Sequence, residues 1–339
     1  MLKEKAKRSK IGKSLSLVAA VLLVTVVSLT ACAPAKPAQP LPIRVGWLTV
    51  TDSLPYFVII DQNLDKKYGF QVTETNYSGG SAIINDLATD TLDLGAAIGI
   101  VPVLGAAQSG IIPGKVIPAA AVDFAGVSHP LTAVLVNPAI NSWQDLQGKQ
   151  IGVNSLASLN AASIITRLRQ EGIQDYKLVV IDFPNMGLAL AGGNIDAGAI
   201  VEPYLTQSLL RQDGKLLSWI IGGPPLENIE NTMLVFSSSF YKDKPQIAKA
   251  YLKAHLEAVK WISQNPEKAR AVLGKRLSLT PEVISKVGLP RYSLDGRNDP
   301  ALLQSTQQVL VEAGLLKAPI PVNQIYDETL LNEVLAEKR

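Results

Sequence analysis

Six segments of the chain that fall at the ends of the strands described below carry no lysine or arginine: 49–57, 78–86, 98–104, 153–162, 182–190 and 199–205. Their carboxylates include three of interest, Asp52, Asp182 and Glu202, with Tyr56, Phe183 and Tyr204 close by in sequence. Carboxylates accept hydrogen bonds from amine and amidine donors, and aromatic rings wall off an apolar body. A multiply charged anion would instead draw a bidentate arginine into its site. This chemistry favours a neutral, amine-bearing or zwitterionic small molecule, such as an aminopyrimidine or taurine, over nitrate or phosphate. A single sulfonate would need only the amides at helix starts near Ser81 and Ser158. The alternative is that the three acids are helix caps or turn residues that point away.

Catalytic chemistry has little to build on. The two histidines are His129, directly before Pro130, and His255, in the middle of a helical pattern. No C-x-x-C, H-E-x-x-H, G-x-S-x-G or P-loop pattern occurs, and the Gly-Gly pairs at 79 and 222 lack the following lysine of a nucleotide site. No catalytic residue, metal site or cofactor is expected, and the chain reads as a non-enzyme.

The single cysteine, Cys32, closes the run Leu29-Thr30-Ala31-Cys32 after a basic start and an apolar stretch from Leu15 to Leu29. That order predicts a lipoprotein signal over 1–31, cleavage before Cys32, a lipid on its thiol and a Pro/Ala-rich tether over 32–42. The alternative is an uncleaved anchor helix. The formal charge of +3 includes six Lys/Arg and one Glu in the leader, so the mature chain is −2 and offers no basic face to nucleic acid.

An internal echo specifies the architecture. Leu92-Asp93-Leu94-Gly95-Ala96 recurs as Ile195-Asp196-Ala197-Gly198-Ala199, with aspartate, glycine and alanine repeating at an offset of 103 residues. Each copy predicts a helix end, a tight turn, a buried strand of small residues and a helix begun by proline. Around the first copy the pattern predicts strands at 43–48, 70–75, 94–98 and 116–121, with helices at 55–63 and 81–89. Around the second it predicts strands at 150–153, 177–181 and 197–201, with helices at 158–171, 186–191 and 203–211. Alternating strands and helices imply parallel-rich sheets flanked by helices, with ligands at the carboxyl ends of the strands. The short β-rich runs 132–136 and 232–236 fit neither copy and are expected to be paired hinge strands. Three later helices follow, at 245–264, 266–273 capped by Asn265, and 300–313 capped by Asp299 and stopped by Gly314.

Several of these stretches resemble a known family. Ile43-Arg44-Val45-Gly46-Trp47, Leu54-Pro55-Tyr56-Phe57 and Lys66-Lys67-Tyr68-Gly69-Phe70-Gln71-Val72 are similar to the opening of the periplasmic binding proteins that serve ABC importers of nitrate, sulfonates, taurine and thiamine pyrimidines. Ser78-Gly79-Gly80-Ser81, Asn154-Ser155-Leu156-Ala157-Ser158 and Val201-Glu202-Pro203-Tyr204 extend the resemblance over most of 43–315. It implies an α/β, two-lobed type II binding-protein fold, with lobe 1 at 43–133 plus 235–339 and lobe 2 at 134–234. It also implies a monomer held outside the cytoplasm, a small-molecule ligand between the lobes and an ABC permease as partner. Candidate ligand contacts are Asp52, Ser53, Tyr56, Gly80, Ser81, Gly99, Asn154, Ser155, Ser158, Phe183, Asn185 and Glu202. An extracytoplasmic sensor for a signalling protein is the second reading, and an enzyme on the same fold the third.

Overall fold

The computed structural model describes residues 40–337, so the leader and Cys32 lie outside it. Among those residues eleven strands form two mixed sheets. The strands are β1 (Leu41–Leu48), β2 (Phe70–Tyr77), β3 (Leu94–Gly99), β4 (Val116–Gly126), β5 (Thr132–Val136), β6 (Lys149–Val153), β7 (Tyr176–Val180), β8 (Ala197–Val201), β9 (Lys215–Ile221), β10 (Asn228–Ser237) and β11 (Arg291–Tyr292). The expected tether is shorter at its end than the sequence suggested, because Leu41 and Pro42 already pair with Phe70 and Gln71.

The first sheet runs β11-β4-β10-β3-β1-β2 and the second β7-β6-β8-β5-β9. In the first, β1 lies parallel to β2 and β3, while β10 is antiparallel to β3 and β4. In the second, β6 lies parallel to β7 and β8, while β5 is antiparallel to β8 and β9. Read from its β2 edge and without β11, the first sheet has the order and directions of the second. The internal echo is therefore a repeated supersecondary unit, each with a parallel trio built by alternating strands and helices and an antiparallel pair beside it.

The helices that cover these sheets follow from local sequence. Leu159–Gln170 starts where the Ser158 hydroxyl accepts the Ala161 N–H at 3.2 Å. It buries Ala161, Ile164 and Leu168 along one stripe and is followed by Gly172 at φ +76°. Asp299 caps Pro300–Glu312 through the N–H groups of Ala301 and Leu302. Asn265 does not cap Pro266–Leu277: its amide turns back to the Trp261 carbonyl at 3.0 Å. Pro245–Gln264 packs on Leu54–Asp61 beneath the first sheet and supplies Tyr251, Leu252, Leu256 and Val259 to the larger core. A second apolar cluster reaches from lobe to lobe, joining Leu48, Val50 and Ile98 to Leu159, Val201 and Ile221.

The chain passes between the sheets twice, at 127–131 and at 222–227. The two crossings touch: a Cβ on Gly222, which sits at φ +84°, would lie 2.4 Å from Pro130 Cα and 2.7 Å from the Gly126 carbonyl oxygen. Only glycine fits there. The runs 132–136 and 232–236 begin just after these crossings but do not pair with each other. Thr132 is in register with Val201 and Ile221 in the second sheet, and Thr232 with Gly99 and Asp123 in the first. Each β-rich run is satisfied within its own sheet, because a strand on the rim of two lobes would leave its backbone groups unpaired.

A candidate ligand cleft between two sheets

The carboxyl ends of all six parallel strands open onto one cavity of about 360 Å³. Leu48, Val50 and Asp52 reach it after β1, Ser78 to Ala82 after β2, and Gly99, Val101 and Pro102 after β3. Asn154 to Asn160 reach it after β6, Asp182 and Phe183 after β7, and Val201 at the end of β8. Thr132, Asn231 and Thr232 complete it from the strands next to the crossings. No lysine, arginine or histidine is among the residues lining this cleft. Its position at strand ends, with walls from both sheets, makes it the candidate ligand site. A second cavity, of about 620 Å³, lies between crossing residues 128–130 and the later helices, with Glu202, Arg270 and Tyr292 in its wall. It is the larger of the two, but no parallel strand ends on it except through Glu202.

Eight of the twelve candidate contacts line the cleft: Asp52, Gly80, Ser81, Gly99, Asn154, Ser155, Ser158 and Phe183. Gly80 opens the Gly80–Ala88 helix, whose N-cap, Gly79, supplies no side chain to the first-turn amides. Those amides are free for a ligand oxygen. At Leu159–Gln170 the Ser158 hydroxyl already occupies the Ala161 N–H, and it donates to the Ser155 carbonyl at 2.7 Å. Asn154 accepts from the Asn160 amide at 3.0 Å, so the two asparagines brace each other on the wall.

Four candidates lie elsewhere. Ser53 is buried, and its hydroxyl accepts the Leu48 N–H at 3.3 Å, closing the turn after β1. Tyr56 is buried in the core of the first helix beside Trp47 and Phe57 and donates to Glu74. Burial, reinforced by that carboxylate, holds its phenol well above the usual range. Asn185 is exposed in the 3₁₀ turn Phe183–Asn185, outside the cleft. Glu202 follows β8 but turns away from the cleft. Its carboxylate accepts the Thr206 N–H at 3.1 Å and hydroxyl at 2.8 Å, and the Gly288 N–H at 3.2 Å. Burial raises its pKa, against those three bonds. Glu202 is thus a cap and a link between lobes, which is the pointing-away alternative. Asp182, by contrast, is exposed on the rim of the cleft.

Asp52 is the buried acid of the cleft, 4 % exposed, and it accepts from the Asn231 amide. Beside it stands Asp123 of β4, wholly buried. Burial raises both carboxyls, and the charge of Asp52 pushes Asp123 further up. Sequence reasoning missed Asp123, Asn231, Thr132 and Thr232. An aspartate inside the apolar run Ala119-Ala120-Ala121-Val122-Asp123-Phe124-Ala125 was the available signal, since an acid in a buried strand needs a reason. Among the described residues no group of His, Cys, Asp and Glu could hold a metal ion, and no helix is long and apolar enough to cross a membrane.

Comparison with known proteins agrees with this architecture. A Bacillus subtilis (strain 168) protein provisionally named an aliphatic sulfonates-binding protein is 22 % identical over 283 residues, covering 80 % of this chain and 81 % of the relative. The periplasmic nitrate-binding protein NrtA from Synechocystis PCC 6803 superposes with a TM-score of 0.70 at 15 % identity, over 87 % of this chain and 88 % of its own. The desulfurization enzyme DSZB superposes at 0.68 and 17 % identity, over 88 % of this chain and all of its own, 100 %. These likenesses establish a shared periplasmic-binding-protein fold. The sequence pattern of the NMT1-like family matches residues 36–277, well over half of the chain, and the chain belongs to that family.

Proposed function

We propose that this chain is an extracytoplasmic solute-binding protein of an ABC importer, which takes a small molecule between its lobes and delivers it to a permease. The carrying observation is the cleft itself, where the ends of six parallel strands from two sheets meet around about 360 Å³ with no basic side chain. The kinship with sulfonate- and nitrate-binding proteins supports a transport role rather than a specific cargo. Without an arginine or lysine in the cleft, nitrate and phosphate fit poorly, and an amine-bearing, zwitterionic or neutral molecule fits well. An acidic end of a zwitterion would meet the uncapped amides at Gly80 and Ser81. Lobe 1 then holds the first sheet and lobe 2 the second, with the touching crossings at 127–131 and 222–227 as the hinge. Ligand shifts the population toward the closed form, which docks on the permease. Lipid on Cys32 would keep the protein at the membrane as a monomer.

The test is a thermal-shift screen of the domain from residue 40 onward against sulfonates, taurine, aminopyrimidines, nitrate, amino acids and polyamines. One-to-one binding at a hundredfold excess over Kd should stabilise the domain by about 2.7 kcal/mol, a rise of a few degrees. No shift across the panel, together with turnover of a panel sulfonate, would replace this reading with that of an enzyme on the same fold.

A further inference from the structure

Behind the cleft floor stands a carboxyl group that its neighbours leave unsatisfied. Neither oxygen of the wholly buried Asp123 makes a hydrogen bond of good geometry, and the groups close enough to act on it are Asp52, the Thr232 hydroxyl and the Asn231 amide. In the first sheet Asp123 lies in register between Thr232 of β10 and Tyr292 of β11, and Asp52 adjoins it on the cleft side. Tyr292 does not serve it, because its hydroxyl donates to the Thr51 carbonyl at 2.7 Å. Two carboxyls in contact and out of water cannot both ionise, so the pair keeps at least one proton between them.

Two hydroxyls face the same space. Thr132 Oγ1 and Thr232 Oγ1 belong to residues 1 % and 5 % exposed and both line the cleft; the Thr232 hydroxyl lies beside Asp123, where a hydroxyl that donates to the carboxyl still has lone pairs to accept with, and Thr132 Oγ1 makes no hydrogen bond. One comes from β5 of the second lobe and the other from β10 of the first. Asp52 itself accepts from the Asn231 amide and, at 3.5 Å, from the Thr51 hydroxyl. The floor therefore presents a surplus of acceptors drawn from both lobes, with no cation to meet them. Leu48, Val50, Leu131 and Ile221 give the cleft around it apolar walls.

We propose that this floor is a subsite for a protonated amine, in which Asp52, Thr132 and Thr232 accept its three N–H bonds while the Asp52–Asp123 pair gives up its shared proton. The inference rests on the reading of the cleft as a solute site. The exchange balances: one ammonium enters, one proton leaves to solvent, and no covalent bond of the ligand changes. Tyr292 of β11 stands against both acids, Arg270 of Pro266–Leu277 acts on Tyr292 from the second cavity, and Asp182 lies on the rim of the cleft. None of these supplies a competing cation inside the cleft. Because ammonium and proton compete for the same pair, affinity for the amine should rise with pH, by up to about tenfold per unit. A ligand ammonium bound by hydroxyls of two lobes also ties closure to the amine.

The experiment is titration calorimetry with three matched probe pairs that differ by the amino group: taurine and ethanesulfonate, β-alanine and propionate, butylamine and butanol. At least one amine should bind roughly tenfold to a hundredfold more tightly than its counterpart, as expected for hydrogen bonds to a charged group. Its Kd should fall between about pH 6 and about pH 8, and the heat should vary with the ionisation enthalpy of the buffer, reporting proton release. Asp52→Asn should erase the preference for the amine, while Asp123→Asn should keep it and flatten the pH dependence. If Asp123→Asn does not fold, the buffer dependence of the unmodified protein decides. Equal or tighter binding of ethanesulfonate or propionate, or amine binding without proton release, overturns the subsite and leaves the solute-binding reading intact. So does a ligand from the wider screen that lacks an amine. Binding by no probe and no member of that screen overturns both.

Discussion

The carboxylate of Asp93 grips Arg44 at both backbone and side chain: it accepts the Arg44 N–H at 2.7 Å, Nε at 3.1 Å and Nη2 at 2.7 Å, and the Asp93 N–H returns to the Arg44 carbonyl at 3.0 Å. The second lobe repeats the backbone part of this clamp. Asp196 accepts the Gln150 N–H at 2.9 Å and its own N–H donates to the Gln150 carbonyl at 2.8 Å. Each aspartate pins the first parallel strand of its lobe to the turn before the third. The clamp is the physical content of the sequence echo. Asp93→Ala should cost about 1–3 kcal/mol, because it strands the Arg44 N–H at the site of a carboxylate only 6 % exposed, while the guanidinium, 45 % exposed, returns to water. Asp196→Ala should cost less, since its side chain is 34 % exposed against 6 % for Asp93. Urea unfolding of both variants checks the order, and a larger loss at Asp196 would contradict it.

Glu202 caps a helix and ties it to Gly288, so its removal should act on folding rather than on the ligand. Glu202→Ala should lower stability by about 1–3 kcal/mol through the abandoned N–H groups of Thr206 and Gly288. Affinity of Glu202→Gln for any ligand from the screen should stay within about twofold of the parent. A tenfold loss measured by calorimetry would return Glu202 to the cleft.

His255, 1 % exposed on Pro245–Gln264, has a pKa lowered to about 3 by burial, and its Nε2 has no partner. The unfolded chain binds this proton near the ordinary value and the folded one does not, so stability is lost as pH falls below about 6.5. At pH 5 the loss from this group alone is about 2 kcal/mol. His255→Leu should remove that part of the acid slope while leaving stability above pH 7 nearly unchanged. Denaturation curves at several pH values would expose an unaltered slope and so refute the assignment.

The leader makes its own prediction. Cys32→Ser should leave the chain uncleaved by lipoprotein processing and without label from a fatty-acid probe in cells. Equal labelling of the variant would show that the lipid, if any, is carried elsewhere.

How much of this was legible before the fold was known depends on range. The Ala197–Val201 strand, the Met186–Ala191 helix and the Pro245–Gln264 helix emerged at their observed bounds, because period, proline and turn residues are local signals. The strand Lys215–Ile221 was missed, since its mix of lysine, serine and leucine alternates poorly and its pairing partner, β5, lies some eighty residues earlier. The candidate contacts on loops that follow strands were mostly on the cleft wall, at Asp52, Ser81, Asn154 and Phe183. Glu202 was not, and the cause was readable: Glu202 and Thr206 are four apart, a spacing that lets a carboxylate cap its own helix. Asp123 carried a local signal as an acid in an apolar run, but its neighbour Asp52, some seventy residues away, is brought to it only by the fold.

The strand order of the first sheet has a consequence for synthesis. β10 lies between β4 and β3, yet it follows them by the whole span of the second sheet. A chain emerging from its N-terminus thus completes all five strands of the second lobe by Ile221 while the first still has a gap at its centre. During that interval β3 and β4 each present an open hydrogen-bonding edge, the kind of surface on which unfinished chains aggregate. This is the interval in which a holding chaperone would matter most, and it ends only when residues 228–237 slot between two strands made more than a hundred residues earlier.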